Sequence, residues 1–156
     1  MVTALLGFRP REGTGALAAP GGTMRSETRT ISLQVRPEKV VQLLADPRNL
    51  PRWAVGFAKG IRSVNGRWMV TAASGEVGIR IEADPRSGVV DFWMSPAPGI
   101  ETFAGSRVLP NGGGSEYVFT QFQAPGMPDE VFDKNVRALE HELTVLRALL
   151  EVECPA

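Results

Sequence analysis

The stretch MPDEVFDKNVRALEHELTVLRALLEVE, from Met127 to Glu153, holds no glycine, and no proline after Pro128. Phe132, Val136, Leu139, Leu143, Leu146 and Leu150 recur every three or four residues, the spacing of one helix face. Val131, Ala138, Val145, Leu149 and Val152 widen that stripe. Asp129, Glu130 and Asp133 crowd its start, where the helix dipole favours negative charge. A helix of roughly 24 residues at 1.5 Å each is about 36 Å long. With one apolar side, it needs an apolar surface of similar length to lie against.

The rest of the chain supplies that surface as strands. From Thr28, Ile31, Leu33 and Val35 alternate with Thr30, Ser32 and Gln34, the pattern of a half-buried strand. In RPEKVVQLLADPRNLPRW, Pro37 opens a short helix whose apolar side is Val40, Val41, Leu43 and Leu44. Asp46-Pro47 ends it, because a residue before proline avoids the α region. Arg48 to Trp53 then makes one more turn, with Leu50 and Trp53 on one face. Turn signals follow at Asn65-Gly66, Ser74-Gly75, Pro85–Gly88, Ser95–Gly99 and Asn111–Gly114. They separate strand-like runs at 57–64, 67–73, 76–83, 89–94, 100–109 and 116–123. Short connections of this kind imply antiparallel neighbours. The order β-α-α-β6-α gives an α+β fold: a curved antiparallel sheet of about seven strands around the long C-terminal helix.

Charge and rare residues narrow the function. Seventeen basic residues balance seventeen acidic ones, so no strong positive field attracts nucleic acid. One cysteine, Cys154, forms no disulfide within the chain, and with one histidine, His141, it makes no ordinary zinc site. Neither a metal nor a cofactor is expected. The segment 1–24 is rich in Gly, Ala and Pro, and its apolar run Val2–Phe8 lacks a charged region ahead of it. It reads as a disordered arm, or as translation upstream of a start at Met24, with residues 25–156 as one domain. No apolar run is long enough for stable membrane insertion, and a cytoplasmic, bacterial protein is the expectation.

The stretch ISLQVRPEKVVQLLADPRNLPRW resembles the opening of the SRPBCC, or START-like, superfamily, also called the helix-grip fold, in its polyketide cyclase/dehydrase-like branch. The likeness lies in the alternating strand, the Pro-Glu-Lys-Val helix start and the Leu-x-Asp-Pro-x-x-Leu-Pro-x-Trp run, and it extends over about Thr28–Val152. Arg36 departs from the small residue common before that proline, and AVGFAKG after Trp53 is short and bears glycine. The resemblance implies a cavity between sheet and long helix that takes sterols, lipids or polyketides. Its candidate walls are Trp53, Phe57, Trp68, Phe92, Phe103, Tyr117, Phe119, Phe122, Met127, Phe132, Val136 and Leu139. Opposite faces of a strand cannot both line one cavity, and Trp68 and Trp93 take sides only once register is known.

Among ionisable or polar strand residues, Glu76, Arg80, Asp91, Glu101, Arg107 and Gln121 are assigned to the wet face. His141, between Glu140 and Glu142, is assigned to the surface. No Gly-x-Ser-x-Gly nucleophile motif occurs, and PNGGGS lacks the Lys-Ser/Thr of a phosphate loop. With no catalytic constellation, the leading expectation is a monomeric or homodimeric protein that binds a small apolar molecule, lipid-like or polycyclic. A cyclase/dehydratase-like enzyme using polar groups in the same cavity is the alternative. A chaperone-activator-like partner module is the third.

Overall fold

The computed structural model describes residues 22–155. The expected arm at 1–24 therefore lies almost wholly outside the described residues. Seven strands form one antiparallel sheet: β1 (Ser26–Leu33), β2 (Gly60–Val64), β3 (Arg67–Ala72), β4 (Gly75–Asp84), β5 (Val89–Ala97), β6 (Ile100–Asn111) and β7 (Gly114–Phe122). Their order across the sheet is β1-β7-β6-β5-β4-β3-β2. The helices are α1 (Pro37–Ala45), α2 (Leu50–Trp53) and α3 (Asp129–Glu153), with one 3₁₀ turn at Pro47–Asn49.

The order explains why two short helices follow the first strand. β1 and β2 are consecutive in the chain but stand at opposite edges of the sheet. Six strand spacings separate them, roughly 29 Å. The connection must cross the inner face, and α1 does so against β4, β5 and β6. Asp46 then accepts from the Arg48 backbone N–H at 3.0 Å and holds the break. α2 reaches α3 and β2, with Leu50 and Trp53 both fully buried as their spacing implied. β2 starts three residues later than the 57–64 run suggested. Ala54–Ala58 instead makes a turn, in which Phe57 and Ala58 N–H groups bond to the Ala54 carbonyl.

Asn65 and Gly66 take φ values of 50° and 77°, the two positive angles of a tight hairpin turn. At Gly114 a Cβ would sit 2.2 Å from the Leu33 carbonyl oxygen, so only glycine lets β7 begin so close to β1. α3 lies along β1 and α2. Arg25 reaches Asp133 at 2.7 Å and Arg29 reaches Glu140 at 2.7 Å, tying the sheet edge to the helix. These pairs are partly exposed and fix position more than they add stability.

Candidate functional site

The inner face of the sheet is read from register. Phe92 pairs with Ala104, Ala104 with Gln121, and Val108 with Tyr117. Ser115, Tyr117, Phe119 and Gln121 thus point to one side of β7, and all are buried. Six of the twelve candidate walls join one apolar cluster here: Trp53, Phe57, Phe92, Tyr117, Phe119 and Leu139, with Trp68 half-buried against it. The rings touch in series: Trp53 to Phe92 at 6.2 Å, Phe92 to Phe119 at 5.8 Å, and Phe119 to Tyr117 at 6.2 Å. Met127, Phe132 and Val136 form a second, separate cluster under the start of α3.

Phe103 and Phe122 correct the expectation. They stand on the outer face, because β6 and β7 turn Ala104, Ser106, Phe119 and Gln121 inward. Phe103 packs on Trp93 at 4.7 Å and on Phe122 at 6.2 Å, and the Arg80 guanidinium lies 5.0 Å from the Trp93 ring. An open groove of about 1100 Å³ runs beside this row and the β5–β6 turn. It takes in Trp68 from the candidate set, and no α3 residue lines it, so it is not the space between sheet and helix.

Five polar residues are buried: Ser106, Ser115, Gln121, Asn135 and Glu142. Ser115 donates to the Val35 carbonyl at 2.7 Å. Ser106 donates to the Val90 carbonyl and accepts from the Tyr117 hydroxyl at 2.9 Å. Burial pushes the Tyr117 hydroxyl well above its ordinary value, so it stays a neutral donor. Glu142 is on the inner side of α3, three residues after Leu139. Burial raises its carboxyl above the ordinary 4.5, opposed by hydrogen bonds to the Gly56 and Phe57 backbone.

Gln121 and Asn135 differ. Gln121 is 3% exposed and Asn135 2%. Gln121 Nε2 and Asn135 Oδ1 have no hydrogen-bond partner among the described residues. Asn135 Nδ2 makes a weak contact, 3.8 Å, to Met127 Sδ. Gln121 stands one residue before the end of β7 and Asn135 six residues into α3, and between them Gln123 bonds to the Met127 carbonyl at 2.7 Å. There the apolar contacts divide into their two clusters.

Gln121 was assigned to the wet face with other polar strand residues, yet its parity with Tyr117 and Phe119 already put it inside. Asn135 and Glu142 each follow an apolar stripe residue, Phe132 and Leu139, by three positions. Glu76, Arg80, Glu101, Arg107 and His141 are exposed, as expected. Among the described residues no helix is long and apolar enough to cross a membrane. No group of three or more His, Cys, Asp or Glu among them is placed to hold a metal ion.

No protein-family model matches the chain, and no curated protein matches it. Solved structures share its fold. The Aha1 dimer from Colwellia psychrerythraea is 18% identical with a TM-score of 0.65, over 83% of this chain and 98% of that one. Ara h 8.0201 is 14% identical with a TM-score of 0.59, over 82% and 98%. The di-domain ARO/CYC protein BexL of the BE-7585A biosynthetic pathway is 22% identical with a TM-score of 0.62. That match covers 82% of this chain but 47% of BexL. The fold common to them is one curved sheet gripping a long C-terminal helix.

Proposed function

We propose that this chain, a helix grip of the SRPBCC, or START-like, type, binds a small, largely apolar molecule between its sheet and α3. Residues 25–156 act as one ligand-binding domain in this reading. The observation that carries it is two buried amide atoms without partners among the described residues, Gln121 Nε2 on the strand that bears Tyr117 and Phe119, and Asn135 Oδ1 on α3. A buried donor or acceptor without a partner costs about 1–3 kcal/mol. A ligand that supplied the missing hydrogen bonds would recover that energy, and Phe92, Tyr117 and Phe119 would cover its apolar body. The fold shared with Ara h 8.0201 and BexL supports the same reading.

The test is titration with diphenylhexatriene, a neutral apolar fluorophore, followed by backbone NMR. Saturable one-to-one binding is expected, with shifts at Phe92, Tyr117, Phe119 and Gln121. Shifts confined to Trp93, Phe103 and Phe122 would move the site to the outer face, and no saturable binding would remove it.

Glu142 favours a second reading, a cyclase/dehydratase-like enzyme. A buried carboxyl whose pKa is raised by desolvation can hold a proton that an exposed one would give up, and pass it to a bound molecule. In that case Glu142→Gln would lower turnover of a poly-β-ketone by roughly 10²–10⁴-fold while leaving binding intact.

A further inference from the structure

We infer that the open groove across β3, β4 and β5 is a binding site in its own right, for an amphipathic monoanion. Its occupant carries an apolar ring system or chain over the groove and one carboxylate or sulfonate against Arg67. The site lies apart from the sheet–helix space and does not rest on the reading above.

Strand register shapes the groove. Met69, Gly78 and Ser95 stand side by side on the outer face of β3, β4 and β5. The next rank on that face is Arg80, Trp93 and Phe103. A rank of an arginine and two rings thus borders a low one, since Gly78 has no side chain and Ser95 a short one. Glu76 and the β5–β6 turn at Pro98-Gly99 stand on the other side. β3 pairs with β4 only as far as Trp68–Ile79, so past Ile79 the edge of β4 is open and Trp68 joins the lining. The volume, about 1100 Å³, suits a small molecule. Trp68, Met69, Trp93 and Ile100 make its walls largely apolar, and Ile100 is 37% exposed. They set the apolar body of the occupant.

Charge sets its head. Arg67, Glu76, Arg80 and Glu101 line the groove. Glu76 accepts two hydrogen bonds from Arg62, at 2.8 and 2.6 Å. Arg80 is paired with Glu82 and lies 3.7 Å from Glu101. Arg67 has no hydrogen bond or ion pair among the described residues. A cationic head would meet carboxylates that already have arginine partners. An anionic head meets a guanidinium with its donors open, in the fork geometry that matches a carboxylate or sulfonate. Arg67 opens β3 directly before Trp68, so head and apolar wall are adjacent along the chain.

The experiment uses two fluorophores with one ring system, 1-anilinonaphthalene-8-sulfonate and its neutral parent N-phenyl-1-naphthylamine. Both are titrated into the full chain, and the sulfonate is followed by backbone NMR. Saturable binding of the sulfonate is expected, with shifts at Arg67, Met69, Gly78 and Ser95. Shifts confined to Phe92, Tyr117 and Phe119, or no saturable binding, overturn the groove as a site.

Arg67→Gln, an exposed position, should weaken the sulfonate about three- to tenfold and leave the parent within about twofold. An equal change in both overturns the anion assignment. Gly78→Val fills the low rank. A Cβ there meets Ser95 Cβ at 3.4 Å and Met69 Sδ at 3.8 Å, ordinary contacts, and valine suits a strand. This variant should weaken both fluorophores at least about tenfold and leave diphenylhexatriene binding unchanged. Native affinity for the sulfonate in the folded variant overturns the site. A parallel loss of diphenylhexatriene overturns its separateness from the sheet–helix space. The NMR comparison needs no variant, so it holds whether or not Gly78→Val folds.

Discussion

From Leu139 to Leu150, α3 presents Leu139, Leu143, Leu146 and Leu150 to the sheet, all in the larger core cluster. From Phe132 to Val136 it presents two apolar residues and an amide, in a small cluster of their own with Met127. Each half also buries a polar side chain, and they treat it differently. Glu142 has backbone hydrogen bonds from Gly56 and Phe57. Asn135 leaves its oxygen without a hydrogen-bond partner among the described residues. The same helix thus combines a half that secures the fold with a half that keeps hydrogen-bonding capacity in reserve. Core packing tolerates few voids and few unmatched groups. The unmatched amides of Gln121 on β7 and Asn135 on α3 are therefore where function is sought.

The comparison can be broken in four ways. Leu146→Ala removes a fully buried side chain from the first half and should cost about 2–5 kcal/mol. Val136→Ala in the second half should cost about 1–2 kcal/mol, at ~0.8 kcal/mol per buried methylene. Urea unfolding of the two variants measures the contrast, and equal losses would erase it.

Asn135→Leu should leave the free protein as stable or raise its stability by about 1 kcal/mol, since it removes an unmatched buried oxygen. Thermal unfolding without ligand reads this. A loss of more than ~1 kcal/mol would mean that Asn135 holds the fold together rather than waiting for a ligand.

Glu142→Gln tests the first half through pH. With its carboxyl raised by burial, the folded protein binds that proton more tightly than the unfolded chain, whose value stays near 4.5. The associated stability is present below pH 4.5 and is lost as pH rises through the raised native value. Glutamine cannot ionise, so the variant should lack this decline. Parallel stability curves from pH 4 to pH 8 would show that ionising Glu142 costs the fold nothing. The carboxyls of Asp46, Glu76 and Glu116 are held below their ordinary values by Arg48, Arg62 and Ser32, so their contributions are lost in the opposite direction, on acidification.

His141→Ala should change least. His141 is exposed, one position off the inner stripe, and surface substitutions usually stay within about 0.5 kcal/mol. Ligand affinity should stay within about threefold. A loss of two orders of magnitude in turnover with the fold intact would make His141 a proton carrier.

Much of this architecture is set by local signals. The proline at 37, the Asp46-Pro47 break, the Asn65-Gly66 turn and the 3.6-residue stripe of α3 act within a few residues of themselves. Each is a steric or hydrogen-bonding preference of a short segment, so element order and type follow from sequence alone. The faces do not. A strand alternates every residue, and a slip of one reverses it, so partners far along the chain decide which side is inside. Trp68 faces in and Trp93 out because of β3–β4 and β4–β5 pairing, and Phe103 follows Trp93 outward through β5–β6. Gln121, Asn135 and Glu142 lay on the apolar periods in plain view. A polar residue on such a period is compatible with a surface until another element covers it. Only the closing of the sheet over α3 removed these three from water and separated the one given backbone donors from the two left unmatched.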